Sequence, residues 1–351
     1  MNFSRALSRR PFVIFWVVVL LFFYLVMLFS DFLAPYNATR RFPDYSGHPP
    51  MRVLLYSTEL GFGLQLQKTF CINDFTSDYV YLEGEYTKIK FFVKGEPYKF
   101  WGIIPSTIHL LGCEDEDYPL FLLGSDRIGR DIFSRLLHGS WVSLTVGLIG
   151  ISITIFLAIL IGGIAGYFGG FIDWLLMRIS ELFILIPGLY LILLFRGFFS
   201  SQMGPSESYL LITLILSLVG WPSTARIIRG MVHSIKRQDF VVNARLEKIP
   251  HLVILLRYII PQISSLLIVI VAMGIPGFIL SETILTYLSL GIAEPAVSWG
   301  SLIKDITIDN VAKYPWFLFS ALNLLLVTLG FNFFADFLRD LNDPYHQLGV
   351  E

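Results

Sequence analysis

Two carboxylates stand inside or beside long apolar runs, Glu181 in RISELFILIP and Glu282 in ILSETILTYLSLG. A charge at the centre of a bilayer costs at least about 2.5–3.5 kcal/mol on the insertion scale, so each acid must face protein, water or a partner. Two chemistries fit: a proton or substrate site, or a neutralised or hydrogen-bonded acid that holds helices together. Neither acid has a second acid or a histidine at pairing distance in the sequence, which favours the structural role. The other reactive residues are Cys71 and Cys113, the only cysteines. An oxidising compartment would permit a disulfide between them, and two buried thiols fit equally well. Their separation and the lack of a histidine at ligand spacing beside either argue against a metal site.

Catalysis finds no residues. The sequence has no GxxxxGK[ST], HExxH or GxSxG, and its six histidines are scattered. The chain therefore has no catalytic set, no cofactor is implied, and any energy for work must come from another protein.

The elements that carry these residues are membrane helices. Of the 351 residues 55% are hydrophobic and only 15% charged, too few charges for a water-soluble surface. The mean hydropathy of +0.67 agrees. The formal net charge of −1, without a basic block away from the membrane flanks, excludes nucleic acid as a partner. Apolar runs at 12–34, 142–167, 174–198, 209–232, 253–285 and 314–338 predict an all-α polytopic membrane protein of about six helices. Ser8-Arg9-Arg10-Pro11-Phe12 resembles an export signal, but its apolar run continues to about Leu33, so it is read as an uncleaved first span. Arg5, Arg9 and Arg10 precede that span; Arg226, Arg229, Lys236, Arg237, Arg245, Lys248 and Arg257 surround the fourth-to-fifth connection. The positive-inside rule then places both termini and that connection in the cytoplasm.

Residues 36–135, between the first two spans, fall outside the cytoplasm and are too long for a plain loop. Alternation in Asp78–Leu82 and Lys88–Lys94, with Gly84 and Gly95-Glu96-Pro97 as turn signals, predicts a small β-rich extracytoplasmic insertion of short strands. The expected organisation is 1–35 for the N-terminus and first span, 36–135 for the insertion, 136–340 for a five-helix core with a cytoplasmic loop at 233–257, and 341–351 for the tail.

Within the core, Gly162, Gly166 and Gly170 recur every four residues and predict one helix face that another helix can approach closely. Pro187 and Pro276 should kink their helices. At the end of the insertion Gly124–Arg135 alternates acids and arginines. It reads best as a helix start, with Ser125 or Asp126 as N-cap and Arg135 late in a short amphipathic helix at the membrane face. The charged stretch 237–261 predicts helix, turn, helix: Val241, Ala244 and Lys248 fall on one face, Arg237, Asp239, Arg245 and Glu247 elsewhere, and Pro250 ends one helix and starts the next.

Four stretches, in this order, resemble the dipeptide and oligopeptide permeases of binding-protein-dependent ABC importers, the second subunit of the pair. They are Gly124–Arg135; Trp221–Gly230 running into Asp239-Phe240-Val241; Leu288–Gly291 with Pro295–Gly300; and Asp336–Pro344. The resemblance implies a type I ABC-importer permease fold in a bacterial cytoplasmic (inner) membrane. It implies as partners a second permease, two ATP-binding subunits and an extracytoplasmic solute-binding protein, with peptide passing between the two permeases. It makes 237–261 the coupling loop, with Arg237, Asp239, Phe240, Val241, Asn243, Ala244, Arg245, Lys248 and Pro250 as coupling residues. It also turns the glycine face towards the translocation path and the partner permease. A permease for nickel chelates or another small solute, or a stand-alone secondary transporter, are the alternative readings.

The loop departs from the family pattern of EAA, three residues, then Gly: Val242, Asn243, Ala244 and Lys248 stand at those positions. Without the glycine that usually permits a left-handed backbone, Lys248 is expected to need another turn geometry, set by Pro250.

Overall fold

The computed structural model describes residues 10–57, 59–73, 78–115, 118–199, 204–292 and 294–342. Arg5, Arg9, Asp343 and Pro344 lie outside the described residues. The chain opens with α1 (Pro11–Leu28) and one further turn, α2 (Ser30–Leu33). Strands β1 (Val53–Ser57), β2 (Gly61–Asn73), β3 (Asp78–Phe100) and β4 (Ile104–Cys113) follow. Next come α3 (Ile132–Phe168), α4 (Gly170–Leu185), α5 (Gly188–Phe199), α6 (Pro205–Ile235) and α7 (Asp239–Leu246). The last are α8 (His251–Tyr287), α9 (Trp299–Ile303), α10 (Ile308–Lys313) and α11 (Leu318–Asn342).

Among the described residues α1, α3, α6, α8 and α11 are long and apolar enough to cross a membrane. The stretch 174–198, expected as a single span, is instead the pair α4 and α5, parted at Ile186-Pro187. Proline lacks the N–H for the helical ladder and pushes the residue before it out of the helical region; Ile186 is extended, at φ −83° and ψ 117°. Pro276, by contrast, stays inside a continuous helix. Pro261 is absorbed in α8 by a change of winding, with π-helical Ile254–Ile259 running into a tight turn at Ile260–Ile263.

The described residues form two compact units, one of 10–20, 145–282 and 328–342, the other of 21–144 and 283–327. In the first unit the core joins Ala158 and Tyr167 of α3, Trp221, Ala225, Ile228, Val232 and Ile235 of α6, Val241 and Ala244 of α7, and Ile254, Leu255 and Ile259 of α8. On α1, Phe12 meets Phe333 of α11 edge-on at 4.9 Å, Trp16 stacks on the same ring at 5.3 Å, and Arg10 pairs with Asp340 at 2.6 Å.

The second unit contains the insertion, a four-stranded antiparallel meander in the order β1-β2-β3-β4. The predicted β-rich element is present, but its strands are long and the turn signals act differently. Gly84 and Gly95-Glu96-Pro97 lie within β3, where the register slips: Gln67 faces Tyr86 yet Thr69 faces Tyr81, and Lys94 faces Ile108 yet Tyr98 faces Ser106. They make bulges, which bend a strand without ending it. One sheet face packs Leu66 and Ile89 on Met51, Tyr118, Leu120 and Phe121. Cys71 in β2 faces Tyr79, and Cys113 in β4 faces Ile89, so β3 separates the two cysteines and no disulfide joins them. Burial pushes the Cys113 thiol up to about 12, which keeps it protonated and unreactive.

Candidate functional site

The connection between α6 and α8 is a short helix tied at both ends. α7 has Asp239 in its first turn and Arg245 in its last, which suits the helix dipole. Arg237 lies before the helix, in a turn where its guanidinium is 2.9 Å from His233 Nε2. Val241 and Ala244 are buried in the core shared by α3, α6 and α8. Of the three residues expected on one face, Val241 and Ala244 do share it, whereas Lys248 is exposed beyond the helix end.

Lys248 also corrects the expected turn geometry. Its φ is +58°, the left-handed conformation that glycine would provide. Its N–H donates to the Arg245 carbonyl at 3.0 Å, and the Ile249 N–H reaches back to the Ala244 carbonyl at 3.2 Å. These two bonds form a Schellman motif, closed by Ile249 packing on the same core as Ala244. The turn is retained with a lysine in it because its bonds and its apolar contact outweigh a left-handed penalty of roughly 1–2 kcal/mol for an L residue. Pro250 follows as the N-cap of α8, with φ −58° and ψ 138°. Lys248→Gly is expected to stabilise the elbow by about 1 kcal/mol, read as a higher thermal midpoint of the purified chain. Lys248→Val, with a branched Cβ, should lower it.

Tyr167, at the end of α3, is the residue on which the elbow converges. The Arg245 guanidinium lies 4.8 Å from its ring centroid, and its hydroxyl is 2.8 Å from His251 Nδ1 at the start of α8. Lys236, just past α6, donates its Nζ to the Gly166 carbonyl at 2.7 Å and the Tyr167 carbonyl at 3.2 Å, capping the open end of α3. Sequence reasoning missed Tyr167, Lys236 and His251. The available signal was weak: an aromatic residue where an apolar run ends.

Apart from Val241 and Ala244, all of α7 is exposed, and its exposed apolar residues are Phe240, Val242 and Leu246, with Val242 42% and Leu246 75% accessible. Val242 and Leu246 are four residues apart and share a face. A rigid helix, anchored to three longer helices and carrying apolar residues outwards, can transmit a push as rigid-body motion.

Two of the three glycines predicted to share a face do so. A Cβ on Gly162 would lie 2.3 Å from the Ala225 carbonyl oxygen, and one on Gly166 2.6 Å from that of Arg229. α6 therefore occupies this face. Gly170 is off it: α3 ends at Phe168, and Gly169 and Gly170 take φ of +71° and +57° in the turn to α4. Next to that turn Asp173 forms a two-pronged ion pair with Arg229 of α6. Glu181, just over two turns further along α4, pairs with Arg178 at 2.6 Å and reaches Arg226 of α6 at 3.7 Å. Glu282 is fully buried in α8.

The Gly124–Arg135 segment, in the second unit, differs from its predicted form. Residues 124–131 make a closed turn, with an isolated bridge between Ser125 and Asp131, and the helix begins at Ile132 as part of long α3. Asp131 is the cap, accepting from Ser134 N at 2.8 Å; burial raises its carboxyl to about 7. Asp126 instead gathers the arginines: its Oδ2 accepts from Arg130 Nε at 2.6 Å and Arg135 Nη1 at 2.5 Å, and its Oδ1 from Arg130 N at 2.9 Å. Arg130 also donates to Glu294 at 2.9 Å and thereby holds that carboxyl below its usual range. Beside it Ser298 caps α9, and Trp299, fully buried, donates from Nε1 to the Leu136 carbonyl at 3.1 Å. Gly124–Arg135 and Pro295–Gly300, two of the motifs noticed in the sequence, are thus one ion-paired joint.

Residues 158–345 match the family of binding-protein-dependent transport system inner membrane components. The chain is 36% identical over 230 residues to the oligopeptide transport system permease protein OppC of Haemophilus influenzae, covering 65% of this chain and 71% of that protein. To OppC of Bacillus subtilis it is 30% identical over 245 residues, 68% of this chain and 76% of the relative. The dipeptide transport system permease protein DppC of Bacillus subtilis is 33% identical over 222 residues, 63% and 68% of the two chains. The β insertion lies outside the matched segment, while α6, α7, α8 and the Trp299 loop lie inside it. A match over more than half of the chain, on the helices that build the elbow, makes this protein a member of the binding-protein-dependent transport system inner membrane component family.

Proposed function

We propose that this chain is one permease subunit of an ATP-driven importer that carries di- or oligopeptides across the cytoplasmic membrane of a bacterium. Family membership supports the importer, and the names of the relatives, oligopeptide and dipeptide transport permeases, support peptide as cargo. In this reading a second permease forms the other half of the path, two ATP-binding subunits drive it, and a solute-binding protein delivers peptide from outside. With α4 and α5 together making the crossing between α3 and α6, both termini and the elbow face the cytoplasm, in keeping with the arginines and lysines around 226–257, and the β insertion faces outwards.

The observation that carries the proposal is the elbow. α7 is locked to α3, α6 and α8 through Val241, Ala244, Lys236 and Tyr167, yet it leaves Val242 and Leu246 uncovered. An ATP-binding subunit seated on those side chains moves three helices at once. Arg245, exposed itself, lays its guanidinium against the Tyr167 ring, and the contact surface is centred on Phe240, Val242, Asn243 and Leu246.

The test is Val242→Asp with Leu246→Asp in the complete reconstituted transporter. Substrate-stimulated ATP hydrolysis is expected to fall at least about tenfold, the equivalent of 1.4 kcal/mol of lost coupling, while the amount of chain in the membrane stays the same. Unchanged stimulation would remove α7 from the mechanism.

A further inference from the structure

The β3–β4 hairpin runs down alongside the exit of the first span, contact by contact. His109 of β4 has Nδ1 2.6 Å from the Ala34 carbonyl oxygen. The Phe92 ring of β3 is 6.1 Å from that of Phe32, and Phe100 is 5.8 Å from Phe29. Trp101, at the tip, donates its indole N–H to the Leu28 carbonyl at 2.9 Å. The partners step back from Ala34 to Leu28, about 9 Å at a helical rise of 1.5 Å per residue. The tip therefore stands level with the last turn of α1, an 18-residue helix without a charge.

Its composition is that of an interfacial segment. Hairpin tips in water carry polar turn residues; this one reads Phe100-Trp101-Gly102-Ile103-Ile104. Trp101 is 49% exposed and Ile103 79%. The turn closes on itself, with Gly102 N–H donating to Lys99 O at 2.9 Å and Ile103 N–H to Phe100 O at 3.0 Å, so little backbone polarity opposes transfer out of water. Trp141 of α3, also exposed, lines the same 450 Å³ cavity as Leu28 and Trp101. Two tryptophans at the end of an apolar span match the aromatic belt of a bilayer interface. Leu25, Leu28 and Phe29, exposed on the span and just past it, continue the apolar surface of the tip.

We propose that the β3–β4 hairpin is a membrane anchor, with Trp101 and Ile103 lodged among lipid headgroups and upper acyl chains on the side where the insertion emerges. The occupant of this surface is lipid, because its depth is set by α1 and its apolar surface continues that of the span. The anchor fixes the height of the sheet above the bilayer. It rests on α1 as a membrane helix and is independent of the transported cargo.

A nitroxide at Ile103→Cys, in a Cys71→Ser/Cys113→Ser chain in phosphatidylethanolamine–phosphatidylglycerol liposomes, tests the depth. The ratio of collisions with oxygen to collisions with a water-soluble nickel chelate should be at least about threefold higher than at Glu85→Cys, an exposed position within β3. Benzoylphenylalanine at position 103 of the otherwise unaltered chain tests the partner without removing a cysteine. Irradiation of the assembled transporter should give a lipid adduct. Equal ratios at 103 and 85, or adducts with polypeptide and none with lipid, overturn the anchor.

Discussion

Replacing Asp126 with asparagine is expected to destabilise the chain by about 3–5 kcal/mol, the cost of leaving buried charges without their partner. Arg135 is only 1% exposed and already has one guanidinium nitrogen, Nε, without a hydrogen bond. Its other contact, Nη2 to Glu294, is 3.9 Å long and reaches an acid that is largely exposed. Asparagine keeps the acceptor for the Arg130 N–H but removes the charge that Arg135 and Arg130 share. The effect is measured as a fall in the thermal unfolding midpoint, followed by tryptophan fluorescence. A double variant sharpens it. Asp126→Asn with Arg135→Met removes both charges, and it should lose at least about 1 kcal/mol less than the two single losses added together. Additive losses, or a midpoint unchanged in the single variant, would show that the joint does not depend on the ion pair.

Gly162→Ala is the second large effect. The new Cβ would sit 2.3 Å from the Ala225 carbonyl oxygen and 3.0 Å from the Ala225 Cα. Both are helix backbone, with no flexible end to swing aside, so α3 and α6 must separate and the core beneath the elbow opens. Overpacking of this kind costs about 1–3 kcal/mol or more. Gly163→Ala is the control. There the nearest atoms are Leu255 methyls at 3.6 and 3.7 Å, an ordinary contact, and the gain in helix propensity is worth up to about 1 kcal/mol. The two substitutions, one residue apart, should therefore shift the midpoint in opposite directions. Because α6 and α3 hold the elbow, Gly162→Ala should also weaken ATP coupling more than Gly163→Ala does.

Much of this protein is legible along the chain. Hydrophobic runs are a local property, and a bilayer demands that they be long, so five of the six runs marked in the sequence are membrane-length helices, while 174–198 is broken at Ile186-Pro187. Strand alternation in 78–94 is equally local, and it identified a sheet among helices. The elbow was visible as charge between two apolar runs, and helical spacing put Val241 and Ala244 on one face, though it also put Lys248 there and could not say which way that face points. The absent glycine at 248 was also visible. Its consequence was not, since a left-handed lysine is held by bonds to Arg245 and Ala244 that only a folded turn provides.

Tertiary structure decided the rest, for one recurring reason: the deciding partner is remote in sequence. Arg130 and Glu294 are 164 residues apart, and Tyr167 and His251 are 84 apart. Asp126 therefore looked like a helix cap until the second arginine and Glu294 were placed around it. Gly170 shared the spacing of Gly162 and Gly166 but lies past the helix end, and periodicity cannot say where a helix stops. The cysteines shared a segment, and only strand order put β3 between them. The apolar tip of the β3–β4 hairpin gained its meaning from Leu28, a residue 73 positions away. Sequence determined that this chain lives in a membrane and bends at 237–261; three-dimensional contact determined what holds the bend, because ion pairs, backbone contacts and ring contacts have no period to betray them.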